Sequence, residues 1–430
     1  MSFRHFTPRF HALRQVAFCI YLALLAGCED ATLPRTSAPL IQRGYLWQRD
    51  WTPAVADAFA IAEQRFDGVI ILGGEIDWAD GAPRLLKSSL RWDAIAAASK
   101  PTTLALRVAP FGGPFASDDA NARFLVASAK TLLADADTHH AKIAAFQLDF
   151  DCAQKKLAGY EAWLRALHAA LRPMPLSITT LPSWLDEPEF GRLINLTDDY
   201  VLQVHSVPAR GADGQAKLCD PQLAQHWVDQ AARLGRPFTV ALPTYRCLAG
   251  YDADGKLRGV AMDAVQPSWP NETRVLEFAA DPDAIASLVR AWQHERLAFL
   301  RGVVWYRVPS EADLRNWRWP TLNAVMQGRA PTHQLEVTSA GENPVDLELV
   351  NQGEAEERFA GRVTASWENA TLVASDSVAG WTLQTTPGGA VFQADGLRLL
   401  PGERRGIGWL RYDRPAQPQL VLSEGASTTR

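Results

Sequence analysis

A chain of 430 residues with 47% hydrophobic and 21% charged side chains has the composition of a folded globular protein, long enough for one large domain and a smaller one. A net charge of −5 with no local Lys/Arg cluster excludes a basic footprint for nucleic acid, so no nucleic-acid partner is expected. No Gly-x-Ser-x-Gly is present, which removes the sequence case for a serine hydrolase.

In chain order, Arg4, Arg9 and Arg14 precede an apolar run over 16–26 that ends in Leu25-Ala26-Gly27-Cys28. The run is too short for a membrane span and has the layout of a signal peptide over 1–28. Leu-Ala-Gly-Cys resembles the lipobox of bacterial lipoproteins. That implies cleavage before Cys28, lipid on its sulfur, and an exported protein anchored to a membrane at the periplasmic face or cell surface. An ordinary secretory signal with an incidental Cys28 is the alternative. Residues 29–43 then read as a tether.

Residues 44–330 divide into eight strand-then-helix units. Strands are predicted at 44–49, 67–77, 102–109, 143–151, 175–181, 200–206, 238–245 and 302–308, each rich in β-branched or aromatic residues and bounded by turn signals. Helices are predicted at 53–65, 91–99, 118–134, 154–171, 186–195, 221–234, 282–299 and 311–327. Leu157, Tyr160, Trp163, Leu164, Leu167 and Leu171 give the fourth a one-sided apolar stripe. Asp220-Pro221 and Asp281-Pro282 read as N-caps with proline in the first turn. Eight alternating units predict an α/β fold, a closed (β/α)8 TIM barrel. An open doubly wound sheet is the alternative, but no Gly-rich phosphate turn follows the first strand. From 331 to 425, short alternating runs with turns at 351–353 and 401–403 predict a small C-terminal antiparallel β-sandwich.

Barrel chemistry sits at the C-terminal strand ends. The fourth strand is central: at period two, Phe146, Leu148 and Phe150 face one side, and Gln147, Asp149 and Asp151 the other. Two carboxyls on one face, roughly 6–7 Å apart, raise one pKa and keep one acid protonated near neutrality. Asp151 and Asp149 are therefore the first catalytic candidates, with Glu75 or Asp77 from the second strand as the partner carboxylate; the competing account of Asp149 is a buried pair with Arg107 or Gln147. Arg107, Gln147, Trp184, Gln203, His205, Tyr245, Arg246, Trp305 and Tyr306 complete the expected binding set. Acids, amides and indoles gathered in one mouth are the equipment of a carbohydrate site. Of the 15 tryptophans, Trp47, Trp51, Trp78, Trp184, Trp269 and Trp305 map to the rim. No cofactor is expected. A metal would need His205 with two carboxylates and has no local ligand motif behind it, so none is assigned. Asp252-Ala-Asp-Gly starts like a calcium loop but lacks the later ligands and reads as a turn in an insertion over 246–270. Among the remaining cysteines one disulfide is expected in an exported protein, with Cys219–Cys247 preferred; three reduced thiols, Cys152 included, are the alternative.

Leu148-Asp-Phe-Asp-Cys152, Ser177-Ile-Thr-Thr-Leu-Pro-Ser-Trp184, Val201-Leu-Gln-Val-His205 and Ala241-Leu-Pro-Thr-Tyr245 resemble the bacterial domain-of-unknown-function family 3142 over roughly 44–320. That family implies no activity. The fourth strand is also loosely similar to that of family 18 glycoside hydrolases, whose pattern is Asp-x-Asp-x-Glu. Here Ala153 stands at the glutamate position, so Asp151 would have to replace the general acid. Three functions remain open: a glycoside hydrolase acting on an envelope or extracellular polysaccharide, a non-catalytic glycan-binding or envelope-assembly lipoprotein, and a metal-dependent hydrolase.

Overall fold

The computed structural model describes residues 33–208, 217–262 and 268–424. The expected signal peptide at 1–28 with Cys28, and residues 29–32 of the expected tether, lie outside them. Eight parallel strands form the barrel: β1 (Ile41–Leu46), β2 (Gly68–Ala79), β3 (Thr102–Val108), β4 (Ile143–Phe150), β5 (Leu176–Thr180), β6 (Asp199–Gln203), β7 (Phe238–Pro243) and β8 (Leu300–Tyr306). Each pairs with its neighbour in sequence, and β8 pairs with β1 to close the ring. Closure needs a close approach at one point, where a Cβ on Gly302 would collide with the carbonyl oxygen of Ile41. The open-sheet alternative is thereby excluded.

The helices α1 (Pro53–Arg65), α2 (Trp92–Ala96), α3 (Ala120–Thr138), α4 (Leu157–Leu171), α5 (Pro188–Ile194), α6 (Pro221–Arg233), α7 (Pro282–His294) and α8 (Trp319–Met326) surround the barrel. The α4 stripe is buried throughout. Asp220 and Asp281 cap α6 and α7 through two backbone N–H groups each, a device worth about 1 kcal/mol per helix. Inside the barrel a small apolar layer of Tyr45, Ile70, Ala105, Val201, Ala241 and Val304 seals the lower half, which leaves the polar residues of the upper half to line a mouth.

Two insertions depart from the eight-unit pattern. β2 overshoots the barrel and turns back through Asp80 (φ 50°) and Gly81 (φ 78°) into an antiparallel strand, Ala82–Lys87. Two positive φ angles in a two-residue loop match the twist of a hairpin. Between β7 and α7, the strands Arg246–Tyr251, Leu257–Ala261 and Arg274–Ala279 make a three-stranded antiparallel sheet, larger than the turn expected there. Arg35–Thr36, within the span read as a tether, pairs with Arg296–Leu297 at the foot of the barrel.

The C-terminal domain is two four-stranded antiparallel sheets. Its strands are β9 (Leu335–Ala340), β10 (Val345–Asn351), β11 (Glu357–Ser366), β12 (Leu372–Ser377), β13 (Trp381–Thr386), β14 (Gly389–Leu399), β15 (Arg404–Tyr412) and β16 (Gln419–Glu424). The sheets run β9-β10-β15-β12 and β13-β14-β11-β16 around a core that includes Leu347, Phe359, Val363, Phe392 and Ile407. Ion pairs join this sandwich to the barrel insert. Arg246 is bound to Glu356, Glu277 lies 3.0 Å from both Arg358 and Arg398, and Arg398 reaches Glu356 at 2.9 Å.

Candidate active site

β4 divides its residues as its period dictates. Phe146, Leu148 and Phe150 point outward and are buried, Phe150 with its ring centroid 5.2 Å from Tyr160. The inward residues form a ladder. Gln147 is lowest and fully engaged: it accepts a hydrogen bond from Tyr45 Oη at 2.8 Å and donates to Ser177 Oγ at 3.1 Å. It belongs to the floor of the site rather than to its binding surface. Asp149 is next, accepting from Thr179 Oγ1 at 2.5 Å, with Arg107 Nε 3.9 Å from its other oxygen. Asp151 stands above it at the rim.

Burial pushes Asp149 up to about 6, and the nearby charge of Asp151 adds to the rise; the Thr179 hydrogen bond and Arg107 oppose it. Asp151 is also raised, by loss of hydration that Arg107 only partly offsets. Asp151 is exposed at the rim, whereas the Asp149 side chain lies deeper and is 15% exposed. Asp149 therefore keeps its proton into weakly acidic pH.

The two aspartates, Thr179, Gln203, His205 and Tyr245 line an inner cavity of about 180 Å³, completed by Tyr45, Trp47, Arg107, Ala241, Met262 and Tyr306. His205 is buried and its ring is pushed down to about 3 by desolvation, so it is neutral. Its Nδ1 lies 3.5 Å from Tyr245 Oη, and it stacks on Tyr306 with ring centroids 5.7 Å apart. Trp47, Arg107, Met262 and Tyr306 also line an adjoining outer cavity of about 520 Å³, which extends over Arg49, Glu75, Ser310 and Asp313. A larger cavity of about 710 Å³ lies elsewhere, between α1 and the sandwich turn at 400–403, and none of the strand-end acids lines it.

Several expected site residues lie elsewhere. Trp305 precedes the inward Tyr306 and so faces outward; it is fully buried and donates from Nε1 to Gln42 Oε1 at 3.0 Å. Trp184 is equally buried, packed between Tyr160 and Phe190. Neither can be a sugar platform. Trp51 packs on Phe59, Trp78 stacks on Phe111, and Trp269 covers Gly250, which leaves Trp47 as the rim tryptophan that lines the cavities. Arg246 starts the insert and belongs to the ion pairs with the sandwich. Asp77 is carried away by the β2 hairpin, where Arg84 holds it at 2.5 Å. Glu75 does reach the outer cavity, but Arg49 at 2.5 Å and Arg107 at 3.5 Å occupy its carboxylate. Cys219 and Cys247 form no disulfide; with Cys152 they are free, buried thiols. Met262, on the insert, with Tyr45 from β1 and Ala241 from β7, lines the inner cavity and was missed by sequence reasoning. Among the described residues, no group of three or more His, Cys, Asp or Glu could hold a metal ion, and no helix is long and apolar enough to cross a membrane.

No curated protein matches the chain. Among solved structures, the spore cortex-lytic enzyme SleL of Bacillus megaterium QM B1551 is similar at 11% identity, covering 68% of this chain and 74% of that one with a TM-score of 0.47. A chitinase from Bacteroides thetaiotaomicron is similar at 15% identity over 63% of this chain and 90% of that one, TM-score 0.45. A family GH18 chitinase from Chromobacterium violaceum is similar at 12% identity over 90% and 92%, TM-score 0.41. Residues 100–311 match the family model described as "Domain of unknown function (DUF3142)", a narrower span than the motifs suggested. The matched span runs from β3 to β8 and includes the acid pair.

Proposed function

We propose that the protein is a glycoside hydrolase-like barrel whose Asp149–Asp151 pair supplies the acid/base chemistry on a polysaccharide of the cell envelope or its surroundings. Two coupled carboxyls at the head of a small cavity carry this reading. Asp149, raised to about 6, gives the site an acid that survives toward neutral pH, which glycosidic bond cleavage requires of its proton donor. Asp151, at the rim, is the group that meets the glycosidic oxygen. Asp149, beneath it, is the member that holds the proton and passes it on to Asp151 as the glycosidic oxygen draws it. Thr179 fixes the Asp149 carboxyl, while Gln203, Tyr245 and neutral His205 offer hydrogen bonds to hydroxyls, and Trp47 and Tyr306 offer ring faces.

The lipid-free protein, residues 29–430, should release new reducing ends from a member of a polysaccharide and peptidoglycan panel. Asp151→Asn should lower that release by about 10²–10⁴-fold, the usual worth of a general acid. Unchanged turnover in the variant would remove Asp151 from the mechanism.

A glycan-binding protein without turnover is the second reading. Ala153 at the family 18 glutamate position and the arginine-occupied Glu75 both favour it. Retention on a glycan column with no release of reducing ends would select it. Export with lipid attached at Cys28 is part of the proposal and rests on the pattern of residues 1–28. Cys28→Ser should abolish incorporation of labelled palmitate, and continued labelling would contradict it.

A further inference from the structure

We propose that the outer cavity is a second sugar subsite and that it takes uncharged sugar units, so that the natural ligand spans at least two neutral rings. This deepens the acid-pair reading and rests on it. The inner cavity, about 180 Å³, is small for an oligosaccharide, whereas the outer one offers about 520 Å³. Both are bounded by Trp47, Arg107, Met262 and Tyr306, so a ligand passing between those four side chains lies in one continuous cleft. Trp47 and Tyr306 meet edge to face there, with centroids 6.0 Å apart, and present apolar ring surface beside polar groups. The far wall is braced, since Arg307 Nη2 donates to the Met262 carbonyl at 3.0 Å.

Charge selects the sugar class. The outer cavity is lined by three arginines, Arg49, Arg107 and Arg307, and by three acids, Asp50, Glu75 and Asp313. The arginines are matched locally: Arg49 is 2.5 Å from Glu75, Arg307 is 2.6 Å from Asp313, and Arg107 lies between Glu75 and Asp149, while Asp50 accepts from Ser89 Oγ at 3.0 Å. A uronate or phosphate-bearing sugar would meet three carboxylates there and no surplus of positive charge. A neutral ring instead finds donors and acceptors already oriented by their mutual pairing.

The test is calorimetric binding of mono- and tetrasaccharides of N-acetylglucosamine, glucose and mannose, and of tetragalacturonate, to the wild type and to Ala312→Trp. Ala312 is exposed and lines the outer cavity alone, so an indole there fills the groove without reaching the acid pair. For one neutral series, affinity should rise at least about tenfold from mono- to tetrasaccharide, and Ala312→Trp should abolish that gain. Tetragalacturonate should bind at least about tenfold more weakly than the neutral tetrasaccharide. A length gain that survives in Ala312→Trp would overturn the subsite, and equal affinity for tetragalacturonate would overturn the charge selection, in both cases leaving the acid pair standing. A wild type that binds none of these sugars and cleaves none of the polysaccharides would overturn the acid-pair reading and the subsite together.

Discussion

The mouth of the barrel and the seam between its insert and the sandwich both press acids against arginines, yet leave those acids in opposite states. In the seam, burial pushes Glu277 up, but the hydrogen bond from Arg398 and the charges of Arg398, Arg246 and Arg358 outweigh it, and the carboxyl ends below its usual range. In the mouth, Asp149 has one arginine at 3.9 Å and a second aspartate beside it, and it ends well above that range. The seam satisfies its charges and holds two domains together. The mouth leaves one proton's worth of charge unsatisfied, a cost that structural ion pairs do not carry and that acid catalysis uses.

The comparison can be pressed through stability. Breaking the seam should show the larger effect. Arg246→Met removes one partner of Glu356 and leaves it with Arg398, a loss of about 2 kcal/mol, less than a fully orphaned buried charge would cost. Urea denaturation at pH 7 checks it, and an unchanged midpoint would mean that the seam contributes nothing.

The mouth should respond with the opposite sign. Asp149 binds its proton more tightly folded than unfolded, so its contribution to stability is complete below the unfolded value near 4 and is lost as pH rises through about 6. Asp149→Asn mimics the protonated form. It should therefore be more stable than the wild type by about 1–2 kcal/mol at pH 7.5, with the difference vanishing toward pH 4. Glu277 behaves in reverse, its contribution present near neutrality and lost on acidification. A destabilised Asp149→Asn at pH 7.5 would show that Asp149 is a structural ion-pair partner instead.

Much of this was legible in the sequence. The period of Phe146–Asp151 fixed which residues of β4 face the mouth, and eight such segments specified the barrel. The same rule applied to β8 would have separated Trp305 from Tyr306, since adjacent strand residues cannot share a face. Asp80-Gly81 was likewise a readable hairpin signal, and it explains why Asp77 leaves the site while Glu75 stays. Trp184 was harder: it lies one short turn beyond β5, and only packing on Tyr160 and Phe190 decides that it folds away from the mouth. Met262 and Arg246 had no local signal, because the sheet that places them pairs residues far apart in sequence, Arg246 with Ala279. The charge state of Asp149 was foreseeable as a principle but not as an assignment, since which aspartate is buried depends on how far Tyr245, His205 and Tyr306 close over the strand end.

The central claim is that burial and the neighbouring charge of Asp151 keep Asp149 protonated toward neutral pH, and carboxyl titration by carbon NMR on aspartate-labelled protein tests it most directly. One carboxyl should titrate near 6 in the wild type, should be lost from the spectrum in Asp149→Asn, and should move toward lower pH in Asp151→Asn. Two aspartates titrating independently near their ordinary value would contradict the account.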